Sequence, residues 1–207
     1  MATFIRSVLW VVAVVCVSFA AEADQSQALL DMVKSRDKAI QDIVRSKTKG
    51  ETPKERAKLK AIVAELFDFA ALSELSLGSS WSERTEAEQK EFTELNRLLI
   101  EKNYADPKLY SKAEKIDYAG VEIDGQEALV KTVVFYKTEK SHIDYQMHLV
   151  NGKWLIYDMI VDDLSIGKSN RSQFRKEMRK TSFEGLMDKL RQKLDADGSE
   201  EKGVSTS

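Results

Sequence analysis

The dipeptide Asn151-Gly152 constrains this chain more than any other pair of residues in it. A two-residue type I′ turn needs positive φ at both central positions, and Asn-Gly meets that need with little strain. The segments on either side must then be antiparallel neighbours. Before the turn, Ile143, Tyr145, Met147 and Leu149 alternate with His142, Asp144, Gln146 and His148, which predicts a strand with one apolar and one polar face. After it, Trp154, Leu155, Ile156, Tyr157, Met159, Ile160 and Val161 run almost without a break, so the second strand is expected to be covered on both faces.

Two earlier segments extend the same pattern. Residues 116–123 read as a strand whose alternation shifts at Ala119-Gly120, as a bulge would shift it. Asp124-Gly125 connects it to a strand over 128–138, carried by Val130, Thr132, Val134 and Tyr136. Four consecutive antiparallel strands over 112–163 predict a meander of four strands or slightly more, with helices covering a face of it.

The helices come from both sides. In the helical half, 24–110, Leu29, Met32, Val33, Ile40, Ile43 and Val44 recur at three- and four-residue spacing, the stripe of an amphipathic helix. After a polar linker at 46–50, Thr52-Pro53-Lys54-Glu55 joins a capping box to proline at the first helical position. That helix turns Leu59, Ile62, Val63, Leu66 and Phe67 inward. Asp68 is placed to cap a short helix that ends at Gly78, and Thr85 with Glu88 forms a second capping box for a helix broken at Asp106-Pro107. Beyond the sheet, Asp162-Asp163 reads as a strand end with capping capacity, and Ser169 or Asn170 as the cap of closing helices over 170–194. Residues 195–207 hold only Ala196 and Val204 as apolar residues and are expected to be disordered.

The first 23 residues read as an export signal. Arg6 supplies the positive end, residues 8–19 the apolar stretch and Ala21-Glu22-Ala23 the cleavage site. The apolar stretch is shorter than the roughly 20 residues that span a bilayer. Cys16, the one cysteine, is preceded by Val15 rather than the small residue of a lipid-anchor site, and so belongs to the leader. A mature chain beginning at Asp24 is then free of cysteine, which excludes disulfides, thiolate catalysis and cysteine-bound zinc. A net charge of −2, with no basic run interleaved with aromatics, argues against a nucleic-acid partner. The 43% apolar content suffices for one substantial core.

Catalytic chemistry finds little purchase. His142 and His148 are the only histidines, six residues apart on one strand, hence roughly 20 Å at about 3.3 Å per residue; they cannot share an ion. Asp158, between Tyr157 and Met159, is the one carboxylate in a mainly apolar strand. It invites comparison with the buried bases of cone-fold isomerases, or else it pairs with a cation such as Lys153 or Arg171. No nucleophile triad, phosphate loop, dinucleotide fingerprint or metal-protease motif is present. No catalytic residue and no metal ligand is expected.

Two longer blocks carry a resemblance. The run from Gly152 to Phe174, GKWLIYDMIVDDLSIGKSNRSQF, resembles the end of the sheet in MlaC-type proteins, the toluene-tolerance auxiliary family of periplasmic phospholipid carriers. Leu77 to Phe92, LGSSWSERTEAEQKEF, resembles a second block of that family, and the likeness runs in order from about Asp37 to Leu190. It implies an α+β fold: a curved antiparallel sheet of the nuclear-transport-factor-2 kind, wrapped by helices around a deep apolar pocket. It also implies a non-enzymatic carrier that moves phospholipid through the periplasm between an outer-membrane lipoprotein complex and an inner-membrane ABC transporter with its periplasmic lipid-binding subunit. The phospholipid would be cargo rather than cofactor; a hopanoid or other isoprenoid lipid is the alternative cargo. Under this resemblance the candidate lining residues are Tyr145, Met147 and Leu149 on the rising strand and Tyr157, Met159 and Val161 on the falling one. Helical candidates are Phe67, Phe69, Leu72, Leu95, Leu99, Tyr104 and Phe174.

Overall fold

The Asn151-Gly152 turn forms with φ of 51° and 77°, the positive values that its type demands. The structure is a computed structural model that describes residues 24–43, 53–104 and 112–202. The leader, the linker at 46–50, the Thr52 cap and the Asp106-Pro107 break lie outside these residues. The elements are α1 (24–43), α2 (Pro53–Leu66), α3 (Phe69–Leu77) continued by a 3₁₀ turn (Gly78–Ser80), and α4 (Glu86–Tyr104). The strands β1 (Lys115–Asp124), β2 (Glu127–Phe135), β3 (Lys140–Val150), β4 (Lys153–Val161) and β5 (Leu164–Ser165) follow, then α5 (Ile166–Lys180) and α6 (Phe183–Lys202). The fold is α+β, with six helices and a five-stranded antiparallel meander, in the order β1-β2-β3-β4-β5, among the described residues.

The caps show how local sequence sets these boundaries. Asp68 accepts from the Ala71 amide at 2.9 Å and starts α3, while Gly78, at φ 59°, ends it. At α4 the Thr85 amide donates to Glu88 at 2.8 Å and the Glu88 amide donates back to the Thr85 hydroxyl at 3.3 Å, a reciprocal capping box. The cap of α5 differs from the expected Ser169 or Asn170. Ser165 accepts from the Lys168 amide at 3.0 Å, so the helix begins earlier, and Asp162 and Asp163 serve the β4–β5 turn with φ of 47° and 67° instead of capping. At the other end α6 runs to Lys202, so residues 195–202 continue a helix where disorder was expected. Lack of apolar residues removes packing, but Ala, Glu and Lys are good helix formers.

Both β1 and β4 are bulged. The β1–β2 register slips between Tyr118 and Gly120, where the sequence marks it. In β4, Gln146 faces Asp158 but Met147 faces Ile156, which leaves Tyr157 as the extra residue. The core divides in two. Leu29, Val33 and Ile40 of α1, Leu59 and Val63 of α2, and Phe67, Phe69 and Leu72 pack with Val130, Met147, Ile156 and Met159 of the sheet. A second cluster joins Leu77, Phe92, Leu99, Leu186, Met187 and Leu190 among the helices.

Candidate functional site

The alternation of the strands builds one wall of a cavity. Ile116 stands beside Val134, Ile143 beside Val161, and Tyr145 beside Met159, so these side chains share a face of the sheet. Val33, Arg36, Asp37 and Ile40 of α1 and Val63 and Leu66 of α2 close the space from above, with Phe67 and Ile156 also in its wall. The volume of this open-mouthed space is about 230 Å³. Packed interiors leave few voids larger than a water, and a water needs only about 10–15 Å³ by the same measure. The space is therefore a cavity and not a flaw in a filled core.

Its wall is mainly apolar; the polar side chains reaching it are Arg36, Asp37, Tyr136, Ser141 and Tyr145. Asp37 accepts a hydrogen bond from the Tyr118 hydroxyl of β1 at 2.7 Å. Burial raises the Asp37 carboxyl to about 6, with the Tyr118 bond acting against the rise. Burial pushes the Tyr118 phenol upward too, and the pairing with Asp37 adds to the rise. Arg36 pairs with Glu65 of α2 at 3.1 Å and keeps 41% of its side chain exposed, which puts it at the rim.

The candidates named from sequence fall in different places. Phe67, Tyr145, Met159 and Val161 line the cavity. Phe69 stacks on Phe67 with ring centres 5.5 Å apart, one layer back, and Leu72 and Met147 are buried in the packed core near it. Leu149 is not on the wall, lying beyond Met147 near the turn. Tyr157 is displaced by the bulge: strict alternation from Met159 would turn it inward, but the extra residue sends it beside His148, ring centres 5.1 Å apart. Leu95, Leu99 and Phe174 belong to the helical cluster, and Leu99 and Phe174 border a separate recess of about 220 Å³ with Asn96, Asn170, Gln173 and Lys193. The side chain of Tyr104 lies outside the described residues. Strand-face reasoning overlooked Ile116 and Val134 as wall residues although both sit in the alternating pattern of β1 and β2. For Arg36 and Asp37 no signal in the helical stripe existed, since they flank it.

Asp158 is occupied structurally and takes no part in the cavity wall. Its Oδ1 accepts from the amides of Met159 and Gly167, both at 2.9 Å, and Oδ2 accepts from the Ser165 hydroxyl. Among the described residues no cation pairs with it; Arg171 donates instead to the Leu75 carbonyl at 2.8 Å. Gly167 is required by close approach: a Cβ there would meet Leu75 Cδ2 at 2.4 Å and Asp158 Oδ1 at 3.3 Å. His148, placed on a solvated face from sequence, instead lies 3.1 Å from Asp68, half-buried. Among the described residues no three His, Cys, Asp or Glu side chains converge as metal ligands would.

Fold and site together define a helix-covered antiparallel sheet holding an apolar cavity, with its polar groups confined to a few positions in the wall. The chain belongs to the MlaC family, whose profile, described as MlaC protein, matches residues 34–192. In structure it is similar to the phospholipid-binding protein from Ralstonia solanacearum, solved in complex with a phospholipid. The TM-score is 0.67 at 19% identity, over 79% of this chain and 95% of that one. At this identity the likeness is one of fold. No curated protein matches the chain in sequence.

Proposed function

We propose that this protein is a periplasmic phospholipid carrier, with residues 1–23 removed on export. Acyl chains would enter the cavity between α1, α2 and the sheet, and the head group would stay near Arg36 and Asp37. The observation that carries this reading is the apolar cavity in an MlaC-family chain. Family membership supports the rest: transfer between an outer-membrane lipoprotein complex and an inner-membrane ABC transporter, in service of outer-membrane lipid asymmetry, without catalysis. Two chains of about 16 carbons, at about 0.8 kcal/mol per CH₂, expose some tens of kcal/mol of apolar surface in water, so transit needs a protein wall. At about 230 Å³ the cavity is smaller than most ligand sites, roughly 300–1,000 Å³. Loading two tails thus requires α1 to move outward from the sheet.

Protein purified without detergent and extracted into organic solvent should yield phospholipid near one molecule per chain by mass spectrometry. An isoprenoid in the extract would change the cargo but keep the carrier. A clean extract from protein that also fails to load from vesicles would remove the reading altogether.

A further inference from the structure

Arg36 and Asp37 are the charged side chains in the cavity wall, opposite in sign and adjacent on α1. Consecutive helical residues project about 100° apart, so both reach the cavity only because it opens across that side of α1. Arg36 uses one side of its guanidinium on Glu65; with five N–H donors it has others to offer. Asp37 spends one oxygen on the Tyr118 hydroxyl, and its carboxyl stands in the wall of the cavity. A carboxylate partly desolvated in a mainly apolar wall is costly to ionise, and a cation arriving with the ligand would relieve that cost.

We propose, resting on the phospholipid reading above, that Arg36 and Asp37 form a dipolar clamp for a zwitterionic head group. Arg36 takes the phosphate and Asp37 the terminal ammonium, so the cavity favours amine-bearing phospholipids of the ethanolamine class over anionic ones that end in glycerol. The groups surrounding Asp37 are consistent with one open cation position. From α1 itself come Arg36 and Lys34, the latter drawn over the Tyr118 ring at 5.4 Å. From α2 comes Glu65, held by Arg36; β1 contributes the Tyr118 hydroxyl, and the segment after β2 Tyr136. The remaining wall from β3 and β4 brings no charged side chain.

The test loads lipid-free protein from vesicles of equal phosphatidylethanolamine and phosphatidylglycerol with matched acyl chains, followed by quantitation of both lipids in the extracted protein. At pH 7.5 the parent should hold roughly a tenfold excess of the amine lipid, the worth of one charge-assisted hydrogen bond. Asp37→Asn keeps an acceptor for Tyr118 but loses the charge, and its ratio should fall towards one. Arg36→Gln should lower loading of both lipids. At pH 5, where Asp37 takes up a proton, the parent's ratio should also fall. A parent that loads both lipids equally, or an Asp37→Asn ratio equal to the parent's, overturns the clamp and leaves the carrier intact. A parent that loads neither lipid overturns the carrier, and the clamp with it.

Discussion

Asp158 accepts three hydrogen bonds, two from backbone amides and one from the Ser165 hydroxyl, and so fastens the start of α5 to β4. Asp158→Asn turns one acceptor into a donor facing donors. The variant should lose about 1–3 kcal/mol in denaturant titration, while whatever folds retains its lipid. Loss of lipid with stability intact would place Asp158 in the binding site instead. Asp37 behaves in the opposite sense. Its carboxyl titrates near 6 in the folded protein and near the ordinary 3.9 when unfolded, so between these values the folded state binds more protons than the unfolded. Stability of the lipid-free protein should therefore fall as pH rises from about 4 to 6. Asp37→Asn should remove that slope and be more stable than the parent at pH 7, by up to about 3 kcal/mol at about 1.36 kcal/mol per pKa unit, with the two nearly equal near pH 4. An unchanged slope would show that Asp37 is well solvated.

At the scale of elements, β4 shows what sequence could and could not reveal. Its apolar run, the hairpin before it and the caps of α3 and α4 were all legible, because each depends on neighbours within a few residues. The bulge at Tyr157 was not, since Asp158 gives no local sign that it must face Gly167 and Ser165, and every inward assignment on the near side of it shifts as a result. The cap of α5 was misplaced for the same reason: Ser165 is chosen by its hydroxyl bond to Asp158, a tertiary contact. The cavity wall follows this division. Met159 and Val161 lie beyond the bulge and line the space, whereas Met147, alternating perfectly on β3, lies in packed core with no exposure. Paired substitutions test the distinction. Val161→Trp should displace acyl chain, lowering bound lipid, yet leave the lipid-free protein melting no lower than its parent. Met147→Trp should cost about 1–3 kcal/mol by overpacking. Equal melting losses in the two would mean that Val161 also borders filled core.

Across the whole molecule, the two apolar clusters divide the work. The helical cluster of α4, α5 and α6 packs around Phe92, which meets Phe174 edge-on at 5.7 Å, and it is a scaffold. The sheet cluster includes α1 and α2, and on the proposed reading α1 is the helix that moves when lipid enters. Lipid should thus protect amides of α1 against hydrogen exchange far more than those of α4; uniform protection would argue for a cavity that opens elsewhere.

The meander leaves β1 at the end of the sheet order, ten residues long and, among the described residues, paired with β2 alone. A long edge of that kind is a template on which a second chain can add. Here Ala119 interrupts it with a bulge, and Lys115, Asp117, Glu122 and Asp124 place charge along it. The irregularity that looks like a flaw in the strand therefore works against copies of the protein zipping together edge to edge.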